Sequence, residues 1–343
     1  MPPLSVLDLS PVVAGSTEAQ ALHDTVTLAI EAERLGFHRY WLAEHHGGAM
    51  VASSSPEIMI GQVAGATSRI RVGSGGVMLP NHTPLHVAEQ FKVLEALYPG
   101  RIDLGIGRAP GTDQLTAYAL RRDAEKMDAD DFPQQLGELL AFAGARPWPA
   151  NHPFRQVRAA PTDVPLPPVY LLGSSAFSAQ VAAANGFGFS FAAHIAPDLA
   201  VDVLRLYRDR FRPSEEFPEP CAILGHAVVC AEDDETARRL AAPARVAFRR
   251  LRAGRPAPIP TVEEALAEER ARPPSEAPAS RGSERVIVGA PERVRDRLDE
   301  LLERSGADEL IVVTTMHGLE DRVRSYALLA EAFHLTAAAP GRA

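Results

Sequence analysis

The sequence predicts a closed (β/α)8 barrel, an α/β fold, and three observations lead to that class. Strand-like and helix-like stretches alternate from the N-terminus onward, the pattern of a parallel sheet built from βα units. Strand starts near residues 4, 39, 70 and 102 recur at roughly 30–35 residues, the length of one such unit. Eight strand candidates can be placed along the 343 residues, and eight units favour a closed barrel over an open doubly wound sheet.

The elements follow in order. Leu4 to Leu9 reads as a short buried strand. Between Glu18 and Leu35, the apolar residues Leu22, Val26, Ala29, Ile30 and Leu35 fall at helical spacing, and Gly36 supplies the stop. Arg39 to Ala43 is the second strand. Ser53-Ser54-Ser55 ahead of Pro56 marks a helix start, and that helix runs to Thr67. Ile70 to Gly73 is the third strand. Val87, Phe91, Leu94 and Tyr98 line a helix that begins near Pro84 and stops at Pro99-Gly100. Arg101 to Ile106 is the fourth strand; the other four are Val169–Leu172, Gly188–Phe191, Ala222–Val229 and Glu309–Val313.

Two insertions break the rhythm of what is expected to be one domain over residues 1–343. After strand 4 come a helix near Ala124–Ala143 and a Pro-rich passage from Pro147 to Pro168. After strand 7, Pro256, Pro258, Pro260, Pro273, Pro274 and Pro278 lie among charges and alanines, a loop-like composition. A long loop inside a compact domain is either a functional lid or a disordered insertion.

Composition narrows the function classes. With 35 Lys+Arg against 44 Asp+Glu the net charge is −9, which argues against nucleic acid or an anionic membrane as the main partner. The two cysteines, Cys221 and Cys230, are too few for a zinc site or a disulfide framework and suit a reducing cytoplasm. No apolar run reaches the roughly 18 residues of a membrane span, and Met1-Pro2-Pro3-Leu4 does not read as a signal peptide. A cytoplasmic enzyme is expected.

In a βα barrel the ligand sits where the strands end. After strand 2 stands Glu44-His45-His46; neighbouring residues there point in different directions, so the histidines divide into one facing a ligand and one elsewhere, or one buried and one on the surface. No metal is expected, because strand 1 offers only Asp8. After strand 3, the run Gly73-Ser74-Gly75-Gly76 either lets a flat ligand approach backbone or forms a bulge. After strand 4, Arg108 between Gly107 and Gly111 is either a phosphate clamp or a salt-bridge partner of Asp103 or Asp113. After strand 5, Ser174, Ser175 and Ser178 open a helix whose start either binds an anion or is simply capped by serine. Neither the GxGxxG dinucleotide fingerprint nor a P-loop is present. Two phosphate-type features on neighbouring strand ends point to a phosphorylated ligand.

Taken in order, Tyr40–His46, Val72–Pro80, Val87–Gln90 and Pro99–Arg108 resemble the luciferase-like flavin monooxygenases, the family that includes the bacterial luciferase subunits. The similarity is clear over roughly residues 4–120, continues through Gly173–Ser178 and includes the final βα unit. The resemblance implies FMN at the C-terminal ends of the strands, with His45 as the catalytic histidine. Gly75-Gly76 would form a non-prolyl cis peptide under the flavin ring. Arg108, Ser175 and Ser178 would hold the phosphate, and residues 245–285 would form a mobile lid. Where the luciferase branch has a reactive cysteine this chain has Gly107, so neither the luciferase substrate nor light emission is implied.

The activity so implied is a two-component monooxygenation. A separate NAD(P)H:flavin reductase supplies FMNH2, O2 adds to give a C4a-peroxyflavin, and one oxygen atom passes to a small organic substrate. That substrate could be a long-chain aldehyde, an aromatic natural-product intermediate met in a tailoring step, or a sulfur compound, in a pocket beyond the flavin that Pro80–His82 and His194 would help line. His45 would act as general acid or base, and a homodimer is expected. The alternatives are an F420-dependent hydride-transfer oxidoreductase, which the same fold serves, and a non-catalytic flavin-binding protein. A metal-dependent barrel hydrolase stands furthest from these motifs.

Overall fold

The computed structural model describes residues 2–121, 131–271 and 285–336. Eight parallel strands close on themselves in it: β1 (Leu4–Asp8), β2 (Arg39–Leu42), β3 (Arg71–Ser74), β5 (Ile102–Gly107), β6 (Val169–Gly173), β7 (Gly188–Ala192), β8 (Ala222–Cys230) and β10 (Glu309–Val313). Closure is direct, since β10 pairs with β1 through Leu4↔Leu310 and with β8 through Val312↔His226. The predicted barrel is the observed fold. Two short strands lie off the ring, β4 (Val77–Met78) on β5 and β9 (Val286–Gly289) on the far end of β8.

The strands read as nearly unbroken apolar runs because both faces are covered. Val6, Tyr40, Leu42, Val72, Leu104 and Val312 belong to the layer under the helices, while Leu7, Trp41, Tyr170, Ile223 and Ile311 fill the barrel interior. Helix α1 (Glu18–Arg34) shows how the outer layer is made: Ala21, Thr25, Leu28, Ala29 and Ala32 are buried at 3–4 residue spacing, and Thr17 caps its start by accepting from the Gln20 N–H at 3.1 Å. Helices α2 (Pro56–Ala66) and α3 (Pro84–Leu97) each start on a proline, as their sequences predict.

The N-terminal end of the barrel is plugged by charge. Arg39 Nε and Nη2 donate to Glu309 at 2.7 and 2.8 Å, and Arg39 Nη1 donates to Asp103 at 2.7 Å. Arg71 and the Trp41 indole also donate to Asp103, and Ser5 Oγ to Glu309. Burial alone would raise the Asp103 carboxyl, but the guanidinium groups of Arg39 and Arg71 hold it below its ordinary range.

The insertions fall after the fourth and seventh barrel strands as expected, but their content differs. After β5 come α4 (Gln114–Arg121) and α5 (Phe132–Phe142). The predicted helix over 124–143 therefore starts later in the described chain, and residues 122–130 lie outside it. After β8 come α8 (Asp234–Leu240) and α9 (Ala242–Arg252); Pro256, Pro258 and Pro260 then lie in a loop as expected, but α10 (Val262–Arg270) follows inside the stretch expected to be loop-like. Its charges are paired between helices, Arg245 with Glu269 and Arg250 with Glu268, and Val246, Ala247 and Ala265 are buried between them. That explains the misreading: a charged, alanine-rich stretch looks unstructured until its partner helix is known. Pro273, Pro274 and Pro278 lie outside the described residues. Strand β9 and helix α11 (Pro291–Ser305) have no counterpart in the sequence reading; α12 (Leu319–Ala332) completes the last unit.

Candidate active site

The C-terminal strand ends gather the predicted residues around one mouth. The chain passes from β3 to β4 through Gly75-Gly76, whose peptide bond is cis. A Cβ on Gly75 would stand 2.5 Å from Leu7 Cδ1, and one on Gly76 would stand 2.8 Å from the Gly105 carbonyl oxygen, so only glycine passes this close to the interior. What remains at that strand end is bare backbone.

One strand further on, Arg108 leaves β5 with an exposed side chain, and its guanidinium lies 4.3 Å from the centre of the Phe177 ring. Phe177 is the second residue of α6 (Ala176–Asn185), so the stack parks the cation beside that helix start. Asp103 is committed to Arg39 and Arg71, and Asp113 to Thr116, so the salt-bridge alternative for Arg108 is not realised. Nor is ordinary capping: Ser175 occupies the N-cap position but its side chain makes no capping bond. Ser174 and Ser175 are half-buried, and Ser178 is buried with its Oγ turned back against Gly173. The uncapped helix start, the nearby guanidinium and the hydroxyls of Ser174 and Ser175, with Ser178 beneath, are groups that could hold an anion.

On the opposite side stand the histidines, and they diverge as adjacent residues must. His45 Nδ1 lies 3.1 Å from the Gly111 carbonyl oxygen. A carbonyl only accepts, so in the neutral ring Nδ1 carries the hydrogen and Nε2 is left as a base. His46 Nε2 instead donates to Glu44 at 2.8 Å.

Glu44 is the residue the sequence reading left without a role. Its fully buried carboxylate accepts from His46, from His82 Nε2 at 2.9 Å and from the Met78 N–H at 2.8 Å, with Asn81 Nδ2 at 3.3 Å. Burial favours the neutral acid, yet the bonds from His82 and His46 outweigh it and hold Glu44 below its ordinary value; His82 is raised in turn, against its own burial. One carboxylate thus ties the loop after β2 to the loop after β4. A buried acid directly after an apolar strand was the available signal.

His194, one of the residues expected to line the pocket, lies just beyond β7. Its Nδ1 is buried without a hydrogen-bond partner among the described residues. Burial, then the charge of His226, then that of His45 push it down to about 4, with the Gly225 backbone acting the other way. The loop after β1 closes the rim: Ile259, from the insertion after β8, exchanges backbone bonds of 2.8 Å with Val12 and Ala14, pinning the segment between α9 and α10 to the mouth. A separate cavity of about 380 Å³, lined by Asp202, Arg205, His226 and Arg297, lies outside the barrel between α7 (Ala200–Arg210) and α11. Among the described residues no group of three or more His, Cys, Asp or Glu is placed to hold a metal ion, and no helix is long and apolar enough to cross a membrane.

The strand ends thus bring Gly75-Gly76, Arg108, Ser174, Ser175, Ser178 and His45 to one end of a (β/α)8 barrel. Residues 3–309 match the family model described as luciferase-like monooxygenase. The chain is 40% identical over 328 residues to a protein of Escherichia coli K12 named luciferase-like monooxygenase, covering 94% of this chain and 95% of that one. It is 35% identical over 332 residues to the N-acetyl-S-alkylcysteine monooxygenase of Bacillus subtilis 168, at 96% and 97% coverage. Apo-MsnO8 superposes with a TM-score of 0.89 at 42% identity, over 98% and 99% of the two chains. The chain belongs to the luciferase-like monooxygenase family. Two remoter structures share the fold alone. One is the oxygenating constituent of 3,6-diketocamphane monooxygenase of Pseudomonas putida in complex with FMN (20% identity, TM-score 0.72, 96% and 97% coverage). The other is an F420-dependent secondary alcohol dehydrogenase (14%, 0.63, 96% and 98%).

Proposed function

We propose that this protein is the oxygenase of a two-component system that uses reduced FMN and O2 to oxygenate a small organic substrate. The observation that carries the reading is the stacking of Arg108 on Phe177, which brings a cation to the uncapped start of α6. A flavin mononucleotide's phosphate is the group such a cradle fits. Arg108, Ser174, Ser175 and Ser178 would hold it, and the bare backbone at Gly75-Gly76 leaves room for a flat ring. Bound there, reduced flavin supplies the activation of dioxygen. His45, its Nδ1 spent on Gly111, presents Nε2 to take or return a proton at the reacting centre. The glycine-lined floor and the apolar wall below it would keep water from the reacting centre. Of the lid expected over 245–285, residues 272–284 lie outside the described residues; the described part is held at the rim by the bonds of Ile259 to the loop after β1 and would cover the mouth from there.

The test is anaerobic titration with reduced FMN, followed by mixing with oxygen while flavin absorbance and oxygen uptake are recorded. Binding of FMN and consumption of oxygen are expected; binding of reduced F420 with no oxygen uptake would transfer the reading to hydride transfer. In His45→Ala, flavin affinity should stay within about twofold while oxygen transfer falls about 10²-fold or more, the scale of general acid–base catalysis. That loss is read against whichever of an aldehyde, a phenol or a thioether the wild type oxygenates. Unchanged turnover removes His45 from the mechanism. The separate reductase and the homodimer complete the proposal, the first tested by reconstitution with a flavin reductase and the second by light scattering.

A further inference from the structure

The interior wall below the mouth is apolar. Leu9, Ala43, Leu172, Ala227 and Val313 cluster there at or near the ends of their strands. His194 breaks that surface. The turn that carries it is fixed by two backbone bonds, Ala193 N–H to the Gly225 carbonyl at 2.7 Å and Ile195 N–H to the Ala192 carbonyl at 3.0 Å, so the ring is held in place by neighbouring strands. It lies close enough to His45 for the two rings to feel each other's charge; the Gly225 backbone is its one polar protein neighbour, but the approach is too poorly aligned to count as a hydrogen bond, and the buried Nδ1 is left without one among the described residues. Protein interiors seldom leave such an atom unpaired, because an unsatisfied buried polar group destabilises the fold. Where one persists facing a binding mouth, a ligand group is the natural partner.

We propose that His194 is a substrate-positioning residue, whose imidazole hydrogen-bonds an uncharged polar group, a hydroxyl or a carbonyl, on an otherwise apolar substrate and holds that substrate across the mouth from His45. This deepens the monooxygenase reading and rests on it. Three features argue for an uncharged group. The ring is neutral at physiological pH, since burial and the two neighbouring histidines oppose its protonation. A neutral imidazole gives one donor and one acceptor but no countercharge, so a carboxylate placed against it would be buried without compensation. The side chains that cluster below the mouth are apolar, so the ring's titratable neighbours are His45 and His226, neither of them an acid or an arginine.

A series of equal-sized probes tests this: cyclohexanol, cyclohexanone, cyclohexanecarboxylate and methylcyclohexane, titrated into the FMN-loaded protein by ligand-observed NMR. The alcohol or the ketone should bind the wild type about fivefold or more tightly than methylcyclohexane, the scale of one hydrogen bond, and the carboxylate should bind least. His194→Leu should abolish that preference and His194→Gln should restore most of it. The FMN affinity of both variants, followed by fluorescence quenching, should stay within about twofold of the wild type, since the phosphate cradle lies on other strands. A preference that survives in His194→Leu, a carboxylate that binds best, or a wild type that favours no polar probe each overturns the proposal. A wild type that binds no FMN defeats the monooxygenase reading instead. The probe series, repeated on the flavin-free protein, then still reports on His194.

Discussion

At the N-terminal end of the barrel, Arg39, Arg71, Asp103, Glu309, Ser5 and Trp41 use their polar atoms on one another. At the C-terminal end, Ser53 Oγ, Asn81 Oδ1 and His194 Nδ1 are buried without a hydrogen bond among the described residues, and Ser175 sits at a helix start it does not cap. Both ends belong to the same eight strands and the same core. The difference teaches where a barrel can keep its function: the network around Arg39 satisfies its charges internally, with Glu95 Oε2 nearby left unpaired among the described residues, while the mouth leaves several polar side-chain atoms unpaired. Glu44 is the exception, a bottom-style hub placed at the mouth. Its work is to hold two loops, so that the unpaired groups around it stay in register.

Breaking the closed end should have the largest effect. Arg39→Met removes the guanidinium that Glu309 depends on and leaves Asp103 with only Arg71 and Trp41, which should destabilise the fold by about 3–5 kcal/mol, the scale for removing one partner of a buried ion pair. Denaturant unfolding measures it. The FMN affinity of the folded fraction should not move, because the cradle lies at the other end. A loss under about 1 kcal/mol would mean the network is solvated and the contrast between the ends is illusory.

The mirror experiment is Arg108→Ala. Its side chain is exposed and ion-paired to neither Asp103 nor Asp113, so unfolding free energy should stay within about 0.5 kcal/mol of the wild type. FMN affinity should fall by about 10–100-fold, the range for one charge-assisted hydrogen bond. Isothermal titration and thermal melts on the same sample separate the two. Loss of stability with affinity intact would invert the assignment of function to this end.

How far these contrasts were legible in the sequence depends on the distance over which each is built. The eight barrel strands were readable because each is a local apolar run, and Gly75-Gly76, Arg108 and Ser174–Ser178 because each sits within a few residues of a strand end. The stack of Arg108 on Phe177 joins residues of two βα units, and the Glu44 hub joins loops at 44–46 and 78–82, so neither can be seen by scanning one stretch. The helices α9 and α10 were hidden for the same reason: Arg245 and Glu269 look like solvated charges until the chain folds back. The orphan Nδ1 of His194 is legible only in three dimensions, since an absence of partners has no sequence signature.

A smaller effect sharpens the place of Glu44. His82 is raised above 6.5 by its bond to Glu44, so its contribution is complete below 6.5 and disappears as the pH climbs through the raised value. Glu44 is lowered below 4.5, so its share is complete above 4.5 and disappears only as the pH falls through the lowered value. Between those limits the pair is intact. Thermal melts across the alkaline limb should therefore show a decline that His82→Gln lacks. Matching slopes in the two proteins would detach His82 from the stability of the mouth.

The smallest change is the most diagnostic of the open end. Ser53 is 1% exposed and its Oγ has no partner among the described residues, while its carbonyl accepts the His45 N–H at 2.8 Å. In Ser53→Ala the backbone bond to His45 survives and an unsatisfied hydroxyl disappears, so stability should be unchanged or higher by up to about 1 kcal/mol, whereas removing a partner at the closed end always costs. If Ser53 is left unpaired because a ligand uses it, the same variant should bind FMN or substrate more weakly even as its melting temperature holds or rises. A stabilised Ser53→Ala protein with undiminished ligand binding would show instead that an orphan polar atom at this mouth can be plain inefficiency, and would confine the functional contrast to Arg108, His45 and His194.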